Sequence, residues 1–211
     1  MATERIGDGR QVAVGLREPR RRVKGVDHAG AGGQAGTLSP FALIHALREW
    51  FDGPIALSGS IANGHPVLGA QAMGADLAYV GSAFIAPQEA NADPRYKEMI
   101  VRSTGEDIVY SNLFTGVHGN YLAPSIIAAG MVPNDLPTSA ASAMNFGSGG
   151  NSKAKAWRDI WGCGQGIGAV KQVPTAAELV GRLSDEYEAA KAELAAKTAL
   201  TTAPTTHAES T

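Results

Sequence analysis

The chain has 211 residues, of which 44% are hydrophobic and 18% charged, so it can bury the core of one ordinary domain. A net charge of −2 gives no general attraction to nucleic acid or to an anionic membrane, and a single cysteine excludes an internal disulfide and a multi-cysteine zinc site. Because no apolar run reaches membrane-spanning length and the N-terminus lacks the apolar core of a signal peptide, a cytoplasmic protein is predicted.

Residues 1–24 differ in charge from the rest of the chain. They carry seven Arg and Lys residues against three Asp and Glu residues. The basic run has neither an interleaved aromatic residue nor a helical apolar stripe, which a nucleic-acid or targeting arm would need. A solvated, disordered segment is therefore predicted for residues 1–24.

Three glycine-containing loops are the strongest local signals. The first, Gly30–Pro40, reads GAGGQAGTLSP and runs directly into a helix start, with Gln34 as its one bulky polar side chain. The others are Ser58-Gly59-Ser60 and Gly81-Ser82, and each follows a short apolar run. Glycine loops at strand ends and helix starts present free N–H groups to anions, so a ligand site at the carboxyl ends of parallel strands is predicted.

The segment that contains these loops alternates helices with strands. Ser39 can cap a helix and Pro40 suits its first turn, while the following strand is apolar on both faces. The predicted order is helix, buried strand, helix and buried strand, over residues 39–52, 54–58, 65–73 and 76–80. This rhythm is typical of a parallel α/β sheet.

The remaining chain predicts an elaboration on the sheet and a long final helix. A helix begins at Asp93, and an extended piece follows at 107–110. The stretch 112–170 is rich in Gly, Asn, Pro and Ser, with short helices predicted at 124–129 and 153–161. A capping box at Thr175–Glu178 starts the last helix, which carries a favourable Glu193–Lys197 pair, and residues 199–211 form a polar tail.

Two glycine motifs resemble nucleotide-binding or reactive motifs without meeting their requirements. Gly30-x-Gly32-x-x-Ala35 matches the dinucleotide fingerprint, but residues 23–28 are too polar for the preceding strand, and no acidic residue follows the strand ending at Ser58. A nicotinamide site is thus disfavoured. The run 162–168 predicts a turn in which Cys163 is a small buried filler.

Of the five histidines, one is a candidate functional residue and the others give weaker signals. His118 lies between glycines beside Asn and Tyr, which suits either a pocket-lining loop or a turn that faces solvent. His65 opens a helix, either near a bound phosphate or at the surface, and His28 falls in an irregular stretch. His45 and His207 are expected to be exposed, and no spacing of His, Asp and Glu predicts a metal site.

Five consecutive segments together resemble one family, the nitronate monooxygenases, formerly called 2-nitropropane dioxygenases. They read GAGGQAGTLSPFAL, PIALSGSIANG, QAMGADLAYVGSAFIAPQEA, DIVYSNLFTGVHGNYL and MNFGSGGNSKAKAWRDIWGCGQG, and the resemblance covers about residues 25–194. The resemblance implies an FMN-dependent TIM-barrel enzyme that oxidises alkyl nitronates with dioxygen to carbonyl compounds and nitrite. Nitroalkanes are the related neutral substrates.

The resemblance also implies roles for individual residues. The FMN phosphate would be held by the loops after the last two strands, namely Ser58, Gly59, Ser60, Gly81 and Ser82. Gly32 and Gly33 would let the backbone approach the flavin and substrate. Gln34 stands where the family usually has a histidine base, and an amide cannot accept a proton near neutral pH. Gln34 and His118 are the candidate catalytic residues, with neutral nitroalkanes expected to be poor substrates.

The fold expected from the resemblance is an incomplete TIM barrel. Only the βα units ending at Ser58 and Val80 are complete, and the strand before the first glycine loop is expected to be missing. A partial FMN-barrel domain is predicted over 25–198, with sheet edges open to association. Two alternatives are an FMN-dependent enoyl-thioester reductase that uses NAD(P)H, and a noncatalytic remnant that binds a phosphate ligand or a partner subunit.

Overall fold

The computed structural model describes residues 2–6, 10–14, 24–138 and 159–201. Its strands form two sheets. In chain order the strands are β1 (Ala2–Ile6), β2 (Arg10–Val14), β3 (Lys24–Asp27), β4 (Gly33–Gln34), β5 (Ile55–Ser58), β6 (Leu77–Tyr79), β7 (Ile108–Ser111) and β8 (Gly119–Leu122).

The larger sheet has the order β1-β2-β3-β5-β6. Strands β3, β5 and β6 are parallel, with Asp27 opposite Ser58 and Ser58 opposite Tyr79, so their carboxyl ends lie side by side. The hairpin of β1 and β2 adds to β3 in antiparallel fashion. The predicted parallel α/β arrangement is confirmed. Within the described residues the sheet ends at β1 and β6 and does not close into a barrel.

The smaller sheet is antiparallel and has the order β4-β8-β7. It joins the first glycine loop to the elaboration, because Gly33 pairs with Asn120 and Gln34 with Gly119. A side chain at Gly119 would place its Cβ only 2.5 Å from the carbonyl oxygen of Gly33. Sequence analysis missed β8 because its residues read as a polar loop, whereas close backbone approach determines this pairing.

The helices largely follow the predicted signals. They are α1 (Pro40–Arg48), α2 (Gly64–Ala72), α3 (Pro94–Arg102), α4 (Ala123–Ala128) and α5 (Ala176–Thr201), with 3-10 turns at Ser82–Ile85, Gly105–Asp107 and Gln165–Ala169. The predicted cap at Ser39 and the predicted helix start at Asp93 are confirmed, and so is the capping box in which Thr175 and Glu178 exchange hydrogen bonds. Most of the predicted helix 153–161 and most of the tail 199–211 lie outside the described residues.

Two strand expectations were wrong. The strand before the glycine loop, expected to be missing, is β3, which pairs with β5 over its full length despite its polar sequence, because backbone hydrogen bonds hold it. The strand at 76–80, expected to be buried, is β6 at the edge of the sheet, where Leu77 is 52% and Tyr79 63% exposed. Because β6 is the last strand of the described sheet, no adjacent strand flanks its outer edge to cover these side chains.

The N-terminal hairpin also differs from expectation. The basic, polar sequence predicts disorder over residues 1–24, whereas β1 and β2 lie within this segment. They pair along five positions, and β2 meets β3 where Ala13 lies opposite Gly25. Mutual pairing satisfies the backbone N–H and C=O groups that a basic, polar sequence would otherwise leave to water.

Arg48 fastens α1 to the starts of two strands. Its guanidinium donates to the carbonyl oxygens of Gly53 and Gly74 at 2.6 and 2.7 Å, and to the Asp76 carboxylate at 2.7 Å. The same carboxylate accepts the N–H of Ile55, and these bonds hold the pKa of Asp76 below its usual range. This cluster fixes the end of the sheet opposite the glycine loops.

The C-terminal helix α5 packs against α2 and holds its start. The Glu186 carboxylate accepts the N–H of Gly64 at 3.0 Å, and the Tyr187 hydroxyl donates to Gln71 at 2.7 Å. Leu179 and Ala190 of α5 are buried, and Glu193 pairs with Lys197 at 3.9 Å as predicted. The packing of α5 thus reaches the helix that follows the second glycine loop.

Replacing Gly64 by alanine is expected to destabilise the protein. The new Cβ would lie 2.1 Å from the backbone nitrogen of Tyr187, so α2 and α5 would have to separate. Overpacking of this kind costs about 1–3 kcal/mol, measurable as a lower free energy of unfolding in urea.

A matched control is Gly69→Ala in the same helix. A Cβ at this position has no atom within 4 Å, and alanine favours a helix over glycine by about 1 kcal/mol. The control variant should be as stable as the original protein or more so. Equal destabilisation by both substitutions would contradict the α2–α5 contact.

Candidate functional site

A cavity of about 560 Å³ lies at the carboxyl ends of β3, β5 and β6. The three glycine loops meet there. All seven residues predicted to bind the cofactor line it, namely Gly32, Gly33, Ser58, Gly59, Ser60, Gly81 and Ser82. Strand polarity explains this convergence, since the loops after parallel strands share one edge of the sheet.

His28 joins the first two loops. Its ring accepts the N–H of Gly30 at Nδ1, at 3.0 Å, and its Nε2 lies 2.9 Å from the carbonyl oxygen of Gly59. Since Nδ1 is the acceptor, the proton is on Nε2 and the ring is neutral. The residue is 6% exposed, and burial lowers the pKa of His28 below its ordinary value of 6.5. Sequence analysis missed this role because the surrounding stretch read as irregular.

Asn120 supports the first loop from the smaller sheet. Its side chain is 1% exposed, and its Nδ2 donates to the carbonyl oxygens of Ala29 and Ala31 at 2.8 and 2.6 Å. Because both N–H donors of this buried amide bond to carbonyl oxygens of one loop, they fix the path of that loop. The neighbouring carbonyl oxygen of Asn120 accepts the N–H of Cys163 at 3.1 Å, which brings in a fourth loop.

The fourth loop, residues 162–166, closes one side of the cavity. Gly162, Gly164 and Gly166 line it, although sequence analysis predicted only a turn here. The N–H of Gly164 donates to the Ser82 hydroxyl at 2.8 Å. A Cβ on Gly32 would lie 2.7 Å from the nitrogen of Gly164, so this approach requires glycine. Ser82 therefore positions the fourth loop while lining the cavity.

Aromatic and aliphatic side chains form another wall. Tyr96 and Trp161 stack with ring centroids 4.9 Å apart, and the Tyr96 hydroxyl donates to the carbonyl oxygen of Gly162. Ile85 and Ile160 line the same cavity. Among the described lining residues Asp27 carries the one formal charge, and none is Lys or Arg. An anion bound here would meet uncharged N–H and hydroxyl donors.

The two predicted catalytic residues lie away from this lining. Gln34 directly follows Gly33 but is exposed, and it does not line the cavity. His118 is exposed as well; its ring stacks on Tyr110 at 4.9 Å and borders a separate hollow of about 170 Å³. The backbone brings them near each other, since the N–H of Ala35 donates to the carbonyl oxygen of His118.

The other histidines and the cysteine occupy simpler positions. His45 is exposed as predicted, and His65 lies at the surface beside Glu193 at 3.3 Å. His207 lies outside the described residues. Cys163 has no exposed surface, which confirms it as a buried filler, and burial raises the pKa of its thiol to about 12. In the described ranges no group of three or more His, Cys, Asp or Glu residues could hold a metal ion.

Together these features define an α/β protein with a ligand cavity at the carboxyl ends of parallel strands. The family model for nitronate monooxygenase matches residues 23–186, and the chain belongs to this family. The resemblance predicted from the sequence is thereby confirmed. Members of this family are flavin oxidoreductases.

Known proteins show the extent of the likeness. A nitronate monooxygenase of Paraburkholderia phytofirmans is 28% identical over 75% of this chain and 47% of its own length. Nitroalkane oxidase of Streptomyces ansochromogenes has a TM-score of 0.64 at 23% identity, over 81% of this chain and 52% of that structure. FabK of Thermotoga maritima has a TM-score of 0.62 at 19% identity, over 82% and 56%. The chain thus spans about half the length of these proteins.

None of the helices in the described ranges combines the length and apolar character needed to cross a membrane.

Cys163 is expected to resist thiol reagents in the folded protein. At pH 8 a thiol with a pKa of about 12 is ionised in only about one molecule in ten thousand, and the side chain is enclosed. Labelling by Ellman's reagent should be at least about a hundredfold slower than for the protein unfolded in guanidinium. Equal rates under both conditions would contradict this burial.

Proposed function

We propose that this protein binds FMN in the 560 Å³ cavity and oxidises alkyl nitronates with dioxygen to carbonyl compounds and nitrite. The observation that carries the proposal is the meeting of the three glycine loops at one cavity, within a chain of the nitronate monooxygenase family. We further infer that residues 25–198 form part of a TIM barrel, because the parallel strands carry their cavity at the edge where such barrels bind ligands.

The cavity fits a flavin nucleotide in size and chemistry. Ligand pockets range over roughly 300–1,000 Å³, and this one also combines an apolar wall with hydroxyl and glycine-rich faces. A Cβ on Gly33 would have no atom within 4 Å, and Gly33 has a φ of +70°, so this backbone leaves open space and favours glycine. FMN would supply the redox chemistry that the protein side chains lack.

Different residues would hold the two ends of the cofactor. Ser58, Gly59, Ser60 and Gly81 would face the phosphate, while Gly32 and Gly33 would face the ring system. The Ser82 hydroxyl accepts the N–H of Gly164 and so holds the fourth loop, while its own O–H would donate to the phosphate. With neither Lys nor Arg among the described lining residues, uncharged donors would bind the phosphate.

FMN affinity should depend on the open space at Gly81. Gly81→Leu is expected to weaken FMN binding at least about tenfold, because the new side chain would extend from a cavity-lining position. Flavin fluorescence quenching measures the dissociation constant, and urea unfolding tests whether stability is kept. A Cβ at Gly81 meets nothing closer than 3.8 Å, so the variant should fold.

Gly168→Leu is the matched control, since this glycine also has room for a Cβ but does not line the cavity. Its FMN affinity should match that of the original protein. If the original protein binds no FMN, or if both variants bind equally well, the cavity is not the flavin site.

Substrate preference should follow from Gln34. An amide cannot take a proton from carbon, and a positioned base typically contributes roughly 10²–10⁴ in rate. Nitronates are already deprotonated, so the protein should turn over a nitronate at least about a hundredfold faster than the parent nitroalkane. Oxygen consumption with the two forms of one substrate measures the ratio, and a ratio near one would refute the proposal.

Gln34→His tests the same point from the other side. Gln34 directly follows Gly33 of the cavity lining, so a histidine at position 34 would add a proton acceptor next to the cavity. Nitroalkane turnover should rise while nitronate turnover stays unchanged. A parallel rise for both forms would show that the substitution acts on cofactor binding and not on proton abstraction.

A further inference from the structure

His28 sits between the two loops that would receive opposite ends of the cofactor. Its Nδ1 contact anchors the N–H of Gly30, and its Nε2 contact anchors the carbonyl oxygen of Gly59. The two anchored residues are 29 positions apart in sequence, and only the ring of His28 bridges them by side-chain hydrogen bonds within the described residues. This bridge adds to the direct backbone bond from the N–H of Ser60 to the carbonyl oxygen of Gly30.

The second loop contains two successive residues with positive φ. Gly59 has a φ of +125° and Ser60 a φ of +49°, both in the left-handed region. A Cβ on Gly59 would lie 2.7 Å from Nε2 of His28, so the ring occupies the space beside this glycine. Glycine tolerates a positive φ, but at Ser60 it is costly and persists when the surroundings hold it.

We propose that His28 is a positioning residue that holds Ser58, Gly59 and Ser60 in the conformation that receives the FMN phosphate. The inference rests on the proposed function of the cavity. His28 would not touch the cofactor itself, and it acts through the direction it gives to the peptide units of Gly59 and Gly30.

The bridge requires the neutral ring. A protonated His28 would have two donors, so the N–H of Gly30 would lose its acceptor and face another N–H. The charged group that acts on the ring is Asp27 on β3, which favours the protonated form, but burial outweighs it and keeps the pKa below 6.5. The residues that line a hollow together with His28 from α1, β5, α2 and the fourth loop, namely Pro40, Leu57, Gly69 and Gln165, carry no charge.

Three substitutions separate the two bonds. His28→Leu removes both, His28→Asn keeps an acceptor near the position of Nδ1, and His28→Gln keeps a donor near the position of Nε2. His65→Gln is the matched control, because His65 follows the same loop but lies at the surface beside Glu193.

Amide hydrogen exchange without FMN provides the first readout. The N–H of Gly30 should exchange at least about tenfold faster in His28→Leu than in the original protein, with protection restored by His28→Asn. The His65→Gln control should leave this exchange unchanged. Unchanged protection of Gly30 in His28→Leu would overturn the proposal, whether or not the protein binds FMN.

FMN affinity provides the second readout. His28→Leu should bind FMN roughly tenfold more weakly, and His28→Gln should stay within about threefold of the original protein because the contact to Gly59 persists. Equal affinity of His28→Leu and the original protein would overturn the proposal. If the original protein binds no FMN, the proposed function fails, and the exchange experiment alone decides the role of His28.

The pH profile of FMN affinity separates this role from a purely structural one. Below pH 6.5 the original protein should lose affinity as His28 gains its proton, whereas His28→Gln should not lose it for this reason. The FMN phosphate itself takes up a proton near pH 6, so the difference between the two proteins isolates His28. Identical profiles would refute the requirement for a neutral ring.

Discussion

The carbonyl oxygen of Gly30 is the junction on which the cavity depends. It accepts hydrogen bonds from the N–H of Ser60 at 3.1 Å and from the N–H of Gln165 at 3.0 Å, so two loops far apart in sequence converge on one atom of a third. The convergence leaves no room for side chains. A Cβ on Gly30 would lie 1.9 Å from the Ser60 hydroxyl, and one on Gly166 would lie 2.6 Å from the Ser60 backbone. Glycine at these positions is a steric necessity.

This constraint explains what the sequence could predict. Glycine loops, helix caps and strand ends are local signals, and they correctly indicated where α1, α3 and α5 begin. They also indicated which backbone segments face the cavity. Strand β3 was missed because its hydropathy is that of a loop, while its stability comes from pairing with β5, a partner beyond its own sequence. The exposure of Leu77 likewise depends on strand order.

Contacts between residues far apart in sequence also determine features of the site that were not predicted. The His28 ring contacts a backbone oxygen 31 positions away in sequence, and the Asn120 side chain donates to backbone oxygens about 90 positions away. Local sequence patterns cannot predict contacts over such sequence separations. Gln34 was found by resemblance, but it is exposed and does not line the cavity that its neighbour Gly33 lines. A position in a motif therefore identified the loop correctly without fixing the direction of its side chain.

The antiparallel hairpin on β3 has a consequence for how this sheet could grow. β2 occupies the hydrogen-bonding edge of β3 where Ala13 meets Gly25, and a parallel strand on that side would need the same edge. The hairpin and a further parallel strand would therefore compete for the same row of backbone N–H and C=O groups on β3. Extension of the parallel sheet past β3 would require the hairpin to detach, whereas β6 at the opposite end can accept a new strand without any prior release.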